Sequence, residues 1–222
     1  GVLSTGTIHN YHKHLKSMLN RAVMFGVIDA SPYARLVGKF GSGEDENIEY
    51  LTEEEMQLIL DTHPVPGTQM ETVRDLFVIQ MFTGLSYSDM QALDIKNYHK
   101  EGNAWVSNGK RIKTGVPFVS QLLPPVVDVL QKHKMKVPQI DNSDYNHLLK
   151  LIGDIAGIDT RMHSHLGRHT FATYMLRNGT RFENVSKMLG HKNLTQTLRY
   201  AKVLAESVHE DYDKVANKLK NK

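Results

Sequence analysis

Four side chains near the C-terminal end of the chain are of types that can act together on an anion. In chain order they are His165, Arg168, His191 and Tyr200. His165 and Arg168 are three positions apart, so they share a face if both lie in one helix. A helix that begins near His165 adds partial positive charge at that face. This spacing predicts a binding site for a phosphate group.

A tyrosine in such a site suggests a further step, attack on phosphorus. The phenol has an ordinary pKa of about 10, so it is a poor nucleophile at neutral pH unless cations and a general base are close. Arginine and histidine supply both. Lys113, in the preceding "KTG" segment, is placed to reach a leaving oxygen and protonate it.

The composition limits the class of protein. A chain of 222 residues with 40% hydrophobic content can bury one main core with a fragment of a second. It contains no cysteine, which excludes disulfides and thiolate metal sites. Neither a membrane-spanning run nor a signal peptide is evident, so we expect a soluble, cytoplasmic protein with no membrane partner. A net charge of +3 and twelve histidines fit a polyanionic partner.

A glycine-rich, charged stretch, "GKFGSGEDENIEY", divides the chain. We predict a linker at 41–49. Residues 1–40 contain an amphipathic helix with a basic flank that begins near Thr7. A segment of this length hardly forms its own core, so we expect it to be the end of a domain that precedes it in a longer protein. Residues 50–222 form the main domain.

The main domain is predicted to be mainly helical with a small sheet. Thr52 and Glu55 form a capping box, and three later helices end at glycines, Gly84, Gly179 and Gly190. Between them, short β-prone runs are separated by "EGN", "NG" and "TG", which predicts a small antiparallel sheet of about three strands. Either "NG" or "TG" could join the last two strands, and we prefer "TG" because a turn at "NG" would leave the strand "KRIK" very short. The fold class is therefore mainly α with a small antiparallel β-sheet (α+β).

These motifs in their order resemble the tyrosine recombinase (phage integrase) family. The resemblance rests on HxxR, LGH, a tyrosine nine residues later and a preceding "KTG" hairpin, and it extends over about residues 5–215. The segments "TGLSYSDM" and "KMLGH" are most similar to those of integrases of Bacteroides-type mobile elements. The resemblance implies the tyrosine recombinase catalytic-domain fold. It also implies a site-specific recombinase that cleaves and rejoins duplex DNA through a 3′-phosphotyrosyl intermediate, without metal, ATP or cofactor.

The resemblance assigns a role to each matching residue. Tyr200 would be the nucleophile, Arg168 the second arginine of the phosphate clamp, and His165 the base or proton shuttle. His191 would bond the phosphate, and Lys113 would be the acid.

The resemblance also implies partners. The chain would bind duplex DNA, act as a homotetramer on DNA and be a monomer without it. Residues 1–40 would be the C-terminal remnant of a core-binding, DNA-binding domain. Segment 203–222 keeps apolar residues at helical spacing, and this C-terminal segment would dock on a neighbouring copy.

One position departs from the family pattern. The family has its first clamp arginine in "TGLR", where this chain has Ser86 in "TGLS", and a serine cannot supply a bidentate cation. We expect Arg111 to substitute for the missing arginine, because Arg111 lies two residues before Lys113 and would share a strand face with it. Arg74 is a second candidate, although its helical pattern favours a surface role. Ser86 with Asp89 also fits a helix N-cap pair.

Other interpretations of the same residues stay open. In "HSHLGRH", His163, His165 and His169 could bind zinc in a metal-dependent hydrolase, although no HExxH motif or carboxylate set accompanies them. Taken alone, His163 and His169 are more typical of structural, hydrogen-bonded histidines. Ser86 also fits a catalytically impaired DNA-binding protein of the same fold. A type IB topoisomerase-like activity uses the same chemistry.

Overall fold

The computed structural model describes residues 3, 5–36, 48–200 and 212. The chain divides into two compact units, residues 1–47 and 48–222, and each is considered by itself. The predicted linker, apart from its last two positions, lies outside the described residues, as does segment 203–222 apart from Tyr212. Within the described part of the chain, no helix combines the length and apolar character that crossing a membrane requires.

The first unit consists of one long helix and a short turn of 3-10 helix. Helix α1 spans Thr5–Met24 and has no buried residue in the described structure. A 3-10 helix follows at Pro32–Arg35, with Ser31 as its N-cap. His12 Nδ1 lies 2.6 Å from Tyr33 Oη, and this hydrogen bond ties the two segments together.

The second unit contains the remaining helices and the sheet. In the described part of this unit the helices are α2 (Glu53–Asp61), α3 (Gln69–Thr83), α4 (Tyr87–Gln91), α5 (Pro124–Lys132), α6 (Asn142–Ala156), α7 (Ser164–Arg177), α8 (Phe182–Leu189) and α9 (Thr195–Leu198). A 3-10 turn lies at Ile95–Asn97. The predicted capping box is present, because Thr52 and Glu55 each bond the other's backbone N–H at the start of α2.

The sheet is antiparallel, with strands in the order β1-β2-β3. The strands are β1 (His99–Glu101), β2 (Ala104–Lys110) and β3 (Pro117–Leu122). The last turn is the "TG" segment, as predicted, and "NG" lies inside β2. Gly109 leaves room for the Phe118 ring, because a Cβ there would lie 2.6 Å from the ring and displace it. The prediction of a mainly helical fold with a small antiparallel sheet is confirmed.

Helix α3 lies at the centre of the main core. Residues 75–83 of this helix are all buried, and the helix contacts α5, α6 and α7. A helix that is apolar on all sides is typical of such a position. Its buried amide, Gln80, accepts a hydrogen bond from Tyr145 Oη at 2.6 Å and donates one to the Leu85 carbonyl oxygen, so burial leaves the amide satisfied.

A second, smaller apolar cluster lies beside the main core. Its buried members are Phe171, Ala172, Leu176, Val185, Leu189 and Tyr200. The first five come from α7 and α8, and Tyr200 lies two residues after the end of α9. Because Tyr200 belongs to this cluster, apolar packing holds the segment after α9 against α7 and α8.

Candidate active site

Arg168 is a buried cation held by two helix ends. It lies in the first turns of α7, whose N-cap is His163. Its two terminal nitrogens donate hydrogen bonds to the Gly84 carbonyl oxygen and to the Leu189 carbonyl oxygen, each at 2.7 Å. Burial lowers the pKa of Arg168 to about 10, so the group stays charged at neutral pH. An arginine has five N–H donors, and those left over are presented in a fixed geometry.

His191 follows directly after Gly190, the glycine that ends α8. Its Nδ1 lies 2.6 Å from the hydroxyl oxygen of Thr197, which is fully buried. Burial, reinforced by the positive charges of Arg168 and Arg111, lowers the pKa of His191 to about 4. The ring is therefore neutral at neutral pH, and the bond to Thr197 leaves Nε2 for a ligand.

Tyr200 is almost completely buried, with 3% of its surface exposed. Its hydroxyl oxygen lies 2.8 Å from Nδ1 of His169. Its backbone N–H donates to the Thr197 carbonyl oxygen, so Thr197 contacts both His191 and Tyr200. Burial raises the pKa of the Tyr200 phenol, and the positive charges of Arg168 and Arg199 act in the opposite direction.

His165 lies one helical turn before His169 on α7. The two rings stack with their centroids 6.4 Å apart. Partial burial lowers the pKa of His165, and Arg168, Arg111 and Lys113 lower it further by their positive charge. The structure therefore places His165 among the cations of the site, and it places His169 on the hydroxyl of Tyr200.

Arg111 and Lys113 do not share a strand face, and that expectation was wrong. Strand β2 ends one residue earlier, at Lys110. Arg111 closes a five-residue turn, because its carbonyl oxygen accepts from the Gly115 N–H at 2.7 Å and its N–H donates to Val116. Lys113 lies exposed in this turn. The Arg111 side chain instead turns inward and is only 12% exposed.

Two contacts fix the position of Arg111 beside the site. Its Nη1 lies 3.0 Å from Oδ2 of Asp89, whose side chain is 5% exposed. Its aliphatic stem lies against Gly190, where a Cβ would come within 2.8 Å of Arg111 Cγ. Gly190 also has a φ of +61°, which disfavours other residues. Arg111 thus packs on the glycine that precedes His191, and its charge lowers the pKa of Arg168.

Ser86 is the N-cap of α4, as the alternative interpretation predicted. Its Oγ accepts from the Asp89 N–H at 3.3 Å, and its hydroxyl donates to Asp89 Oδ2. Asp89 Oδ1 accepts from the Ile112 N–H at 2.9 Å, so this carboxylate joins α4 to the turn after β2. Arg74 lies elsewhere, paired with buried Asp75 at 3.2 Å.

Three residues of the site were not predicted from the sequence. His169 was interpreted as structural, although it is four positions after His165 and hence on the same helix face. Asp89 was considered only as a capping residue. Thr197 carries no signal in the sequence, because its contact with His191 depends on how α8 and α9 meet.

The histidines of "HSHLGRH" are arranged around α7 in separate roles. His163 Nδ1 accepts from the His165 N–H at 3.2 Å and caps the helix, while His169 bonds Tyr200. Within the described ranges, no three His, Cys, Asp or Glu side chains come together in a way that could hold a metal ion. The arrangement gives no support to the zinc hydrolase alternative.

The geometry suits chemistry on a phosphodiester. Buried Arg168 and Arg111 supply fixed positive charge, which is most effective where water is excluded. Neutral His191 supplies a hydrogen-bonding ring nitrogen. Tyr200 supplies a hydroxyl that is hydrogen-bonded to His169, and Lys113 supplies an exposed ammonium group on the adjacent turn.

Comparison with known proteins gives consistent matches. The profile of the phage integrase family matches residues 49–207. The tyrosine recombinase XerA of Thermococcus onnurineus is 30% identical over 178 residues, which cover 74% of this chain and 61% of that protein. XerC of Oceanobacillus iheyensis is 28% identical over 185 residues, covering 74% of this chain and 60% of XerC. The chain thus spans about three fifths of the length of these relatives.

Solved structures share the fold. The integrase of transposon Tn1549, in complex with a circular intermediate DNA, superposes with a TM-score of 0.70 at 19% identity, covering 89% of this chain and 75% of that one. The XerH recombinase bound to palindromic difH substrate gives a TM-score of 0.62 at 19% identity, covering 76% and 55%. The fold expected from the sequence, that of the tyrosine recombinase catalytic domain, is confirmed.

Proposed function

We propose that this chain, which belongs to the phage integrase family, carries the catalytic domain of a site-specific DNA recombinase. The enzyme cleaves and rejoins duplex DNA through a covalent 3′-phosphotyrosyl intermediate. The observation that carries the proposal is that Arg168 is held between the ends of α3 and α8, where its positive charge acts to lower the pKa of the Tyr200 phenol. Relatives named as tyrosine recombinases and neighbours solved with DNA support the choice of substrate.

We assign each step of the reaction to a residue of the site. The Tyr200 oxygen forms a bond to phosphorus while the bond from phosphorus to the 5′-oxygen breaks. Arg168 and His191 bond the nonbridging oxygens, and Arg111 supplies the cation that Ser86 cannot. Lys113 protonates the leaving 5′-oxygen, and His165 is the base or shuttle that the family resemblance implies. The phosphotyrosyl ester keeps the bond energy, so rejoining needs no ATP.

The arrangement of the whole enzyme is part of the proposal. Residues 1–40 are the remnant of a core-binding domain, 41–49 a linker and 50–222 the catalytic domain. The protein is a monomer until DNA assembles it into a homotetramer through the C-terminal segment. Since its substrate is DNA, we place it in the cytoplasm.

Trapping of a covalent complex tests the proposal. The full chain is incubated with a pool of nicked duplexes of random sequence, and DNA that stays attached in detergent is sequenced. We expect a 3′-linked adduct on a defined set of sites. Tyr200→Phe should bind DNA normally and form no adduct, whereas Tyr174→Phe, which removes a hydroxyl elsewhere, should behave as wild type. An adduct with Tyr200→Phe would assign the nucleophile to another residue.

The same assay separates the alternatives. Ser86 in place of an arginine favours a catalytically impaired DNA-binding protein, which would retain DNA without any covalent adduct. A type IB topoisomerase-like enzyme would form adducts without site preference and relax supercoiled DNA efficiently. Adducts confined to a defined set of sites support the recombinase.

A further inference from the structure

In the described part of the chain, the Tyr200 hydroxyl is hydrogen-bonded to His169. Its Nδ1 lies 2.8 Å from Tyr200 Oη, within the range in which a general base can take a proton. The rings are 5.8 Å apart at an interplanar angle of 55°, so the contact is through the edge of the imidazole. Tyr200 is shielded from water, because it is 3% exposed, and His169 is half-buried.

The other histidines of the site are engaged elsewhere. His191 uses Nδ1 for Thr197 at 2.6 Å, and His163 uses Nδ1 to cap α7. His165 stacks on the ring of His169. Among the described residues, His169 is the histidine that hydrogen-bonds the tyrosine oxygen.

The surroundings keep His169 in the form that accepts a proton. Burial lowers its pKa to about 4, and His165, Arg199, His163 and Arg168 add to the effect. These four groups and Tyr200 are the charged or titratable groups that face His169. They lie on α7, directly before α7 at His163 and directly after α9 at Arg199. A phosphodiester that binds at Arg168 brings negative charge, which offsets these cations and raises the basicity of His169 as the reaction begins.

We propose that His169 is a catalytic residue that accepts the phenolic proton of Tyr200 during strand cleavage. The inference rests on the proposed function and narrows it, because it leaves His165, which stacks on His169, the role of shuttle and not that of base. As the Tyr200 oxygen bonds to phosphorus, its proton moves to His169 Nδ1, the bond from phosphorus to the 5′-oxygen breaks, and that oxygen takes a proton from Lys113. Rejoining reverses each transfer, and His169 returns the proton to the phenol.

Single-turnover cleavage as a function of pH tests this role. Rates are measured between pH 5.5 and 10 on the nicked duplex at saturating concentration, for wild type, His169→Phe and His163→Asn. At pH 7 we expect His169→Phe to be slower by about a hundredfold or more, as for loss of a general base, with unchanged DNA affinity. The cleavage rate of His169→Phe should keep rising up to pH 10, because without His169 the Tyr200 phenol must lose its proton to solvent. His163→Asn keeps a capping oxygen and should follow wild type.

Two results would overturn the inference. An undiminished rate in His169→Phe would exclude proton transfer to His169. A decrease of equal size at every pH would assign His169 a packing role, since loss of packing does not change the shape of the profile. A wild-type protein that forms no adduct would instead overturn the proposed function itself.

A measurement without DNA tests the same hydrogen bond. Nitrogen-15 spectra of histidine-labelled protein should show His169 neutral at pH 7, with its proton on Nε2 and with Nδ1 as the acceptor. Tyr200→Phe should shift the Nδ1 resonance and leave that of His191 in place. A proton found on Nδ1 of His169 in wild type would contradict the proposal, because that nitrogen could not then accept one.

Discussion

Replacement of Arg111 by alanine tests whether the turn after β2 supplies the cation absent at Ser86. The Arg111 side chain is 12% exposed and its Nη1 lies 3.0 Å from Asp89 Oδ2. Removal of one preorganised charge-stabilising donor slows cleavage by about 10² to 10³, or about 3 kcal/mol of transition-state free energy. We expect this loss for Arg111→Ala in single-turnover cleavage at saturating DNA.

The same substitution leaves the buried Asp89 without its cation. Loss of one partner of a buried ion pair destabilises a protein by about 3–5 kcal/mol. Here the Ser86 hydroxyl and the Ile112 N–H still bond the carboxylate, so we expect the lower end of that range in denaturant unfolding. Adding Asp89→Asn removes the negative charge that has lost its partner, and the double variant should recover stability without recovering cleavage. This difference separates a folding defect from a catalytic one.

Two further variants sharpen the result. Lys110→Ala, at the exposed end of β2, should weaken DNA binding and leave the saturated cleavage rate unchanged. Ser86→Arg in the Arg111→Ala background should restore cleavage, because residue 86 already contacts the carboxylate that holds Arg111. If Arg111→Ala cleaves at the wild-type rate at saturating DNA, the substitution of Arg111 for the missing arginine is refuted.

Three further predictions concern the clamp, the acid and stability. Arg168→Ala should slow single-turnover cleavage about a hundredfold or more, with poor rescue by lysine, and a near-normal rate would exclude the clamp role. A 5′-bridging phosphorothiolate, whose leaving group needs no proton, should restore cleavage by Lys113→Ala, and no rescue would argue against an acid there. In the folded protein His169 and His191 each have a pKa of about 4, which is below the ordinary histidine value of 6.5. Between pH 4 and 6.5 both rings are therefore mostly neutral in the folded protein and mostly protonated in the unfolded chain, which binds more protons. Unfolding free energy should fall as pH drops from 6.5 to 4, by at most about 2.7 kcal/mol per pH unit, and Phe at either position should reduce the slope.

Local signals in the sequence were sufficient for most of the fold. Capping by Thr52 and Glu55 and helix-ending glycines such as Gly190 depend on residues within one or two turns. The sheet followed from the same kind of signal, because "TG" needs a residue at positive φ and Gly115 has a φ of +68°. Motif spacing led to the family that the profile match confirms.

The parts of the site that were missed depend on contacts between distant segments. Asp89 and Arg111 are twenty-two positions apart, and their pairing requires α4 to lie beneath the turn after β2. The strand face that Arg111 was expected to share with Lys113 does not exist, because Arg111 already closes the turn. His169 and Tyr200 are thirty-one positions apart, and their contact depends on the apolar cluster that packs α8 against α7. Periodicity within one element carries no information on such pairs.

Placing the clamp cation on the turn after β2, and not on α4, has a mechanistic consequence. Arg111 and Lys113 are then two residues apart on one backbone segment, which Asp89 ties to α4 through both the Arg111 guanidinium and the Ile112 N–H. In the proposed mechanism, a displacement of this turn moves the charge that stabilises the nonbridging oxygens together with the acid that protonates the leaving oxygen. With an arginine at 86, by contrast, the charge would stay on α4 while the lysine moved. Under the proposed roles, Asp89 therefore holds the clamp charge and the acid on one segment before DNA binds, and a displacement of that segment leaves Arg168 as the remaining clamp arginine.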